Sequence, residues 1–321
     1  MKIKTLLIGL GNIGMLYDDR NSNLIQSHAK AVELHPNFKL VSGIDPVYER
    51  RNFFEENYKL ISFKRLDEFR NKDEIDLVII STPTDTHLCV IEETIKSLKP
   101  KMILCEKPLS YDYNDAFKIV DLCKKANIEL FVNFVRRCDP AVIEIKNKID
   151  QNLIEPPLKG ICWYSKGLYN NGSHFINLLE YWLGNYKDIR IINSGRVFNN
   201  IDPEPEFIID FQKGSIIFRS AWEENFSFYK VEIISKSGIL KYENGGDKVE
   251  LYHVEDDKKI KGYKILSEKK LRLKSKLDVY QYMVLDQIYK SYLGENTTIC
   301  KGSQALSTQK IIYSIREKLR T

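Results

Sequence analysis

Apolar residues in the first 135 positions fall into short, nearly continuous runs. These runs cover residues 3–8, 38–44, 76–80, 102–105 and 129–134. Between them, residues 27–34, 47–57, 86–97 and 113–126 carry apolar side chains at helical spacing. Strands that are apolar throughout and alternate with helices predict a parallel sheet covered on both faces. One interruption stands out. Residues 17–26 are polar and contain Asp18-Asp19-Arg20-Asn21, which predicts a loop inserted before the first helix is completed.

The second half has a different rhythm. Residues 141–150 and 173–183 predict helices, with a loop over 152–157. Residues 206–211 and 215–222 alternate apolar and polar positions around Gln212-Lys213-Gly214, a hairpin signal. Residues 228–234, 238–243 and 249–254 continue the alternation, and 280–292 and 303–319 predict closing helices. The fold class expected is therefore α/β. A parallel-sheet domain over 1–135 precedes an α+β domain over 136–321, built on a large, mostly antiparallel open sheet. The last helix is free to pack back onto the first domain.

Composition narrows the function classes. The 321 residues suit two domains, and 43% hydrophobic content supplies two cores. No apolar run approaches the roughly 20 residues needed to span a bilayer. The run before the first glycine is too short for a signal peptide, so a soluble cytoplasmic protein is expected. Six scattered cysteines without a paired spacing read as reduced core thiols, and no metal site is expected. A net charge of +5, densest over 258–276, reads as a solvated segment rather than a nucleic-acid stripe. The expected partner is a small molecule, with neither nucleic acid nor membrane. A homodimer or homotetramer is expected, because open sheets often pair face to face.

The candidate chemistry begins at Gly9-Leu10-Gly11-Asn12-Ile13-Gly14, directly after the first strand. In that context the first glycine permits a tight turn and the second lets backbone N–H groups approach a pyrophosphate. The third permits close helix–strand packing. This predicts a Rossmann domain. Asp45 ends the second strand, where a carboxylate can hold an adenosine ribose and repel a 2′-phosphate. NAD(H) is therefore preferred to NADP(H), with Arg50 and Arg51 one turn further on as the counterweight. Two later strand ends should face the same crevice: Ser81-Thr82-Pro83-Thr84-Asp85-Thr86-His87 and Cys105-Glu106-Lys107-Pro108. A lysine paired with Glu106 for structural reasons is the plainer alternative.

These elements, with Val135-Arg136-Arg137-Cys138-Asp139-Pro140 and Gly172-Ser173-His174, resemble the Gfo/Idh/MocA oxidoreductases in order and rough spacing over residues 3–184. Beyond that point the likeness is architectural only. The resemblance implies an enzyme that transfers a hydride between NAD and a CH–OH group of a sugar, cyclitol or nucleotide-linked sugar. It implies cofactor contacts from Gly9, Gly11, Asn12, Ile13, Gly14, Asp45, Ser81, Thr82, Pro83, His87, Glu106 and Lys107. It places Lys107 and His174 at the reacting oxygen and Arg136 at the substrate; Tyr169 and Asn170, shortly before His174, are the further substrate candidates. The family pattern has acids where this chain has Asn170 and Asn177. An asparagine can orient an imidazole but cannot stabilise its cation by charge. More of the proton handling then falls to Lys107, with Tyr169 as a possible phenol donor. The same departure opens the alternative of a catalytically silent, NAD(H)- and sugar-binding regulatory protein.

Overall fold

The computed structural model describes residues 2–18, 22–70, 75–221 and 225–320. Asp19, Arg20, Asn21 and Trp222, each part of an expected element, lie outside the described residues. In chain order the elements open with β1 (Ile3–Ile8), α1 (His28–Leu34), β2 (Phe38–Ile44), α2 (Tyr48–Tyr58) and β3 (Ser62–Phe63). Next come β4 (Leu77–Ile80), α3 (His87–Ser97), β5 (Met102–Cys105), α4 (Tyr113–Lys125), β6 (Glu129–Val132) and α5 (Pro140–Asp150). β7 (Leu158–Tyr164), α6 (Ser173–Leu183), β8 (Tyr186–Phe198), β9 (Asp202–Phe211) and β10 (Gly214–Ser220) follow. The chain continues through β11 (Lys230–Ser235), β12 (Gly238–Glu243), β13 (Lys248–Asp256) and β14 (Lys264–Leu273). It closes with α7 (Tyr280–Tyr292), β15 (Cys300–Lys301) and α8 (Gly302–Arg320).

Contacts divide the chain into two units: residues 1–138 with 278–309, and residues 139–277 with 310–321. The first unit is thus discontinuous, whereas the sequence suggested an unbroken second domain over 136–321. The reason is the apolar face of α7. Val284, Leu285 and Ile288 are at most 1% exposed and join the core formed by Leu7, Phe38 and Leu77.

The first unit carries a seven-stranded sheet in the order β15-β6-β5-β4-β1-β2-β3. All its pairings are parallel except β15 with β6. Residues 77–80 and 102–105 are entirely buried, as strands covered on both faces should be. The order places the carboxyl ends of β1, β2, β4 and β5 side by side, and the glycine turn, Asp45, Ser81 and Glu106 follow those ends. The inserted loop is real in its described part: a five-residue helical turn, Asn12–Leu16, precedes α1.

The second unit carries an eight-stranded sheet in the order β14-β13-β12-β11-β7-β10-β9-β8. It is antiparallel except where β10 pairs with β7. α6 buries Phe175, Leu178, Leu179 and Trp182 against it. The basic stretch over 258–276 is mostly exposed, with Ser267 and Leu273 buried, and it also forms β14, an edge strand of the sheet. Lysines on an edge strand discourage pairing with another sheet. Among the described residues, no helix is long and apolar enough to cross a membrane.

Candidate active site

The glycine turn is built by close approach. Gly9 has φ +97°, in the region that favours glycine. A Cβ there would stand 2.6 Å from the Ser81 carbonyl carbon, and one on Gly14 would strike the Gly9 carbonyl oxygen. Gly11 differs. Its φ is −79°, and among the described residues a Cβ would meet only Arg50 Nη1, at 3.9 Å. Gly9 and Gly14 therefore serve the protein's own packing. Gly11 leaves bare backbone beside open space, the condition a pyrophosphate needs.

That space is a cavity of about 830 Å³. Gly9, Gly11, Asn12 and Ile13 line it together with Ser81, Thr82 and Pro83. Asp45 and Arg50 line it too. The Asp45 carboxylate is 2% exposed and accepts the N–H groups of Leu10 and Val47, both at 2.8 Å. Arg50 Nη1 stands 3.4 Å from it. Arg51 turns away and donates to the carbonyls of Asp45 and Pro46.

Two expected cofactor residues have supporting contacts. The Ser81 hydroxyl donates to the Gly9 carbonyl at 2.7 Å and ties the turn to β4. His87 is fully buried and is not part of the cavity wall. Its ring nitrogens face the carbonyls of Thr82 at 3.0 Å and Leu109 at 3.2 Å, so it joins the loops after β4 and β5. Burial pushes its imidazole toward the neutral form, against the pull of those carbonyls.

Glu106 follows β5 and its side chain is 13% exposed. One oxygen lies 2.8 Å from His28 Nε2 and 2.6 Å from Asn133 Nδ2. The other accepts the Lys107 backbone N–H at 3.3 Å. Burial pushes the Glu106 carboxyl up, but His28, Asn133 and the Lys107 charge bring it below the usual carboxylate range. Lys107 itself is half-buried, as is Arg136 in the short helical turn Val135–Cys138.

The second unit holds Tyr169, Asn170 and His174. The turn Gly167–Gly172 leads into α6, with His174 in its first turn. Carboxylates from β9 hold this turn. Asp202 accepts the N–H groups of Tyr169 and Asn170, both at 2.9 Å. Glu204, fully buried, accepts the Gly167 N–H at 3.0 Å and pairs with Arg196 at 2.8 Å. Burial pushes the Asp202 carboxyl up, and the turn's N–H groups oppose that. Tyr169 is only 6% exposed, and its phenol oxygen accepts from Arg316 at 2.6 Å. Asn170 is exposed, His174 half-buried and Asn177 buried.

Sequence reasoning did not find His28, Asn133, Asp202, Glu204 or Arg316. None sits in a motif, and each acquires its partner through the fold. The separation of 78 positions between His28 and Glu106 is typical of the gap.

With this geometry in place, residues 3–134 match the family described as "Oxidoreductase family, NAD-binding Rossmann fold". These residues are a Gfo/Idh/MocA-family Rossmann domain. Relatives of this domain include an inositol 2-dehydrogenase of Rhizobium meliloti, 29% identical over 48% of this chain and 42% of that protein. A scyllo-inositol 2-dehydrogenase (NAD(+)) of Bacillus subtilis is 28% identical over 62% of this chain and 59% of its own. The chain thus spans about half the length of the curated relatives it matches. In fold, the Gfo/Idh/MocA domain and the sheet unit after it are similar to the WlbA dehydrogenase of Bordetella pertussis, solved with NADH and UDP-GlcNAcA. The TM-score is 0.77 at 16% identity, covering 100% of this chain and 97% of that one.

Proposed function

We propose that the protein is an NAD-dependent oxidoreductase acting on a hydroxyl-bearing or keto carbon of a sugar, cyclitol or nucleotide-linked sugar. The observation that carries this reading is the bare Gly11 backbone beside Asp45, in a family Rossmann domain whose β5 ends in Glu106-Lys107. The names of the inositol dehydrogenases and the UDP-sugar bound to the fold neighbour support the substrate class.

Backbone N–H groups from Gly11 onward bind the dinucleotide phosphates. Asp45 receives the adenosine ribose and disfavours a 2′-phosphate. The nicotinamide, when bound, supplies or accepts the hydride. The Lys107 ammonium stabilises negative charge on the reacting oxygen, as an oxyanion hole does. His174 takes the hydroxyl proton in oxidation and returns it in reduction. Asn170 orients by hydrogen bonding without adding charge, and Arg136 contacts substrate. The open sheet pairs two or more copies.

The test is Lys107→Ala. Turnover should be abolished while NADH binding stays within severalfold; unchanged turnover removes Lys107 from the mechanism. Asn170 and Asn177, where the resemblance expects acids, favour a second reading, a sensor that binds NAD(H) without chemistry. NADH binding with no transfer to any member of a broad sugar and keto-sugar panel would select it.

A further inference from the structure

We propose that His28 and Glu106 are a buried positioning pair that gives Lys107 its counter-charge and fixes its peptide. This rests on the reading of Lys107 as the group at the reacting oxygen. Three groups meet at one carboxylate: the ring of His28, the amide of Asn133 and the Lys107 peptide. His28 opens α1 and is 2% exposed. A carboxylate can only accept, so the His28 Nε2 donates to Glu106, at 2.8 Å. Asn133, just after β6, donates to the same oxygen, and its amide also donates to Gln281 of α7 at 3.2 Å. The Lys107 N–H takes the other oxygen.

A carboxyl this buried would take up a proton if it had no partners. Those partners instead keep Glu106 ionised, one residue from Lys107. The other titratable groups that face it do not compete. Burial holds the thiol of Cys105 and the phenol of Tyr280 protonated and pushes His87 toward neutral. A purely structural ion pair would need none of its bonds to end on the lysine's own peptide.

The experiment needs no turnover. Isotope-edited NMR of glutamate-labelled full-length protein follows the Glu106 titration, assigned by its loss in Glu106→Gln. Competitive acetylation of Lys107 across pH, read by peptide mass spectrometry, gives the apparent pKa of its amine. In Glu106→Gln that value should fall by about one to three pH units, the effect of losing an adjacent opposite charge. In His28→Leu the Glu106 midpoint should rise by about one unit or more. His28→Gln, which keeps a donor but not a charge, should raise the midpoint by less than His28→Leu and carries the test if His28→Leu does not fold. An unmoved Lys107 amine in Glu106→Gln, or an unmoved Glu106 midpoint in His28→Leu, overturns the proposal. If both move and no substrate turns over, the pair stands and the hydride-transfer reading fails.

Discussion

The Asp45 carboxylate accepts the backbone N–H of Leu10 at 2.8 Å, so the acid that ends β2 also locks the turn that follows β1. One buried side chain therefore shapes the backbone of the glycine turn and sets the charge at the cavity wall.

Substitution separates those two roles. Asp45→Asn keeps an acceptor for Leu10 and removes the charge. Fluorescence titrations should show NADH binding weakened and NADPH binding improved, with the ratio moving at least tenfold, about 1.4 kcal/mol. Asp45→Ala leaves the buried Leu10 N–H and the part-buried Val47 N–H without their acceptor and should lower stability by about 1–3 kcal/mol in denaturant melts. An unchanged NADH/NADPH ratio in Asp45→Asn would remove Asp45 from cofactor choice.

The glycines of the turn should divide in the same way. A methyl on Gly11 meets almost nothing of the protein, so Gly11→Ala should melt like wild type. It should nevertheless lose NADH affinity at least tenfold, because the methyl occupies the approach to the backbone. A methyl on Gly14 meets the Gly9 carbonyl, so Gly14→Ala should be destabilised outright. Calorimetry and NADH titration on the pair distinguish the two. Full NADH affinity in Gly11→Ala would mean that the dinucleotide does not lie against this backbone.

In the second unit the sign of a pH effect follows from Asp202. Burial raises its carboxyl above the ordinary 3.8, so the folded state holds this proton more tightly than the unfolded chain. Its contribution to stability is full below 3.8 and is lost as pH rises through the raised folded value. Asp202→Asn cannot titrate. The melting temperature of wild type minus that of Asp202→Asn should therefore fall as pH rises across that window. A difference that grows with pH would contradict the placement of Asp202 behind the Gly167–Gly172 turn.

The first unit was legible because its strands are buried on both faces. Such strands are apolar throughout, and helical segments set them apart. The two-residue strands β3 and β15 carry no such signal; they exist because β2 and β6 offer them edges. In the second unit β8 was missed, since only Ile189 among its thirteen residues is buried and no alternation results. β14 escaped for the same reason, its exposed lysines reading as a solvated segment.

The site divides along a similar line. The glycine turn, Asp45 and Glu106-Lys107-Pro108 were readable because local backbone geometry or a strand end demands them in a fixed order. His28 and Asn133 were not readable, since only the packing of α1 and β6 brings them to Glu106, with Gln281 of α7 against Asn133. Tyr169 shows the limit from the other side. The sequence offers its phenol as a donor, but Arg316 from α8 is what it meets.

The central claim is hydride exchange with NAD at a sugar or cyclitol carbon. The direct measurement is NADH absorbance with purified wild-type protein and Lys107→Ala. The panel comprises inositols, aldoses and UDP-sugars with NAD+, and the matching keto compounds with NADH. The account predicts turnover of at least one compound by wild type and none by Lys107→Ala, with NADH binding retained in both. NADH binding without turnover of any compound, or equal turnover by the two proteins, would contradict it.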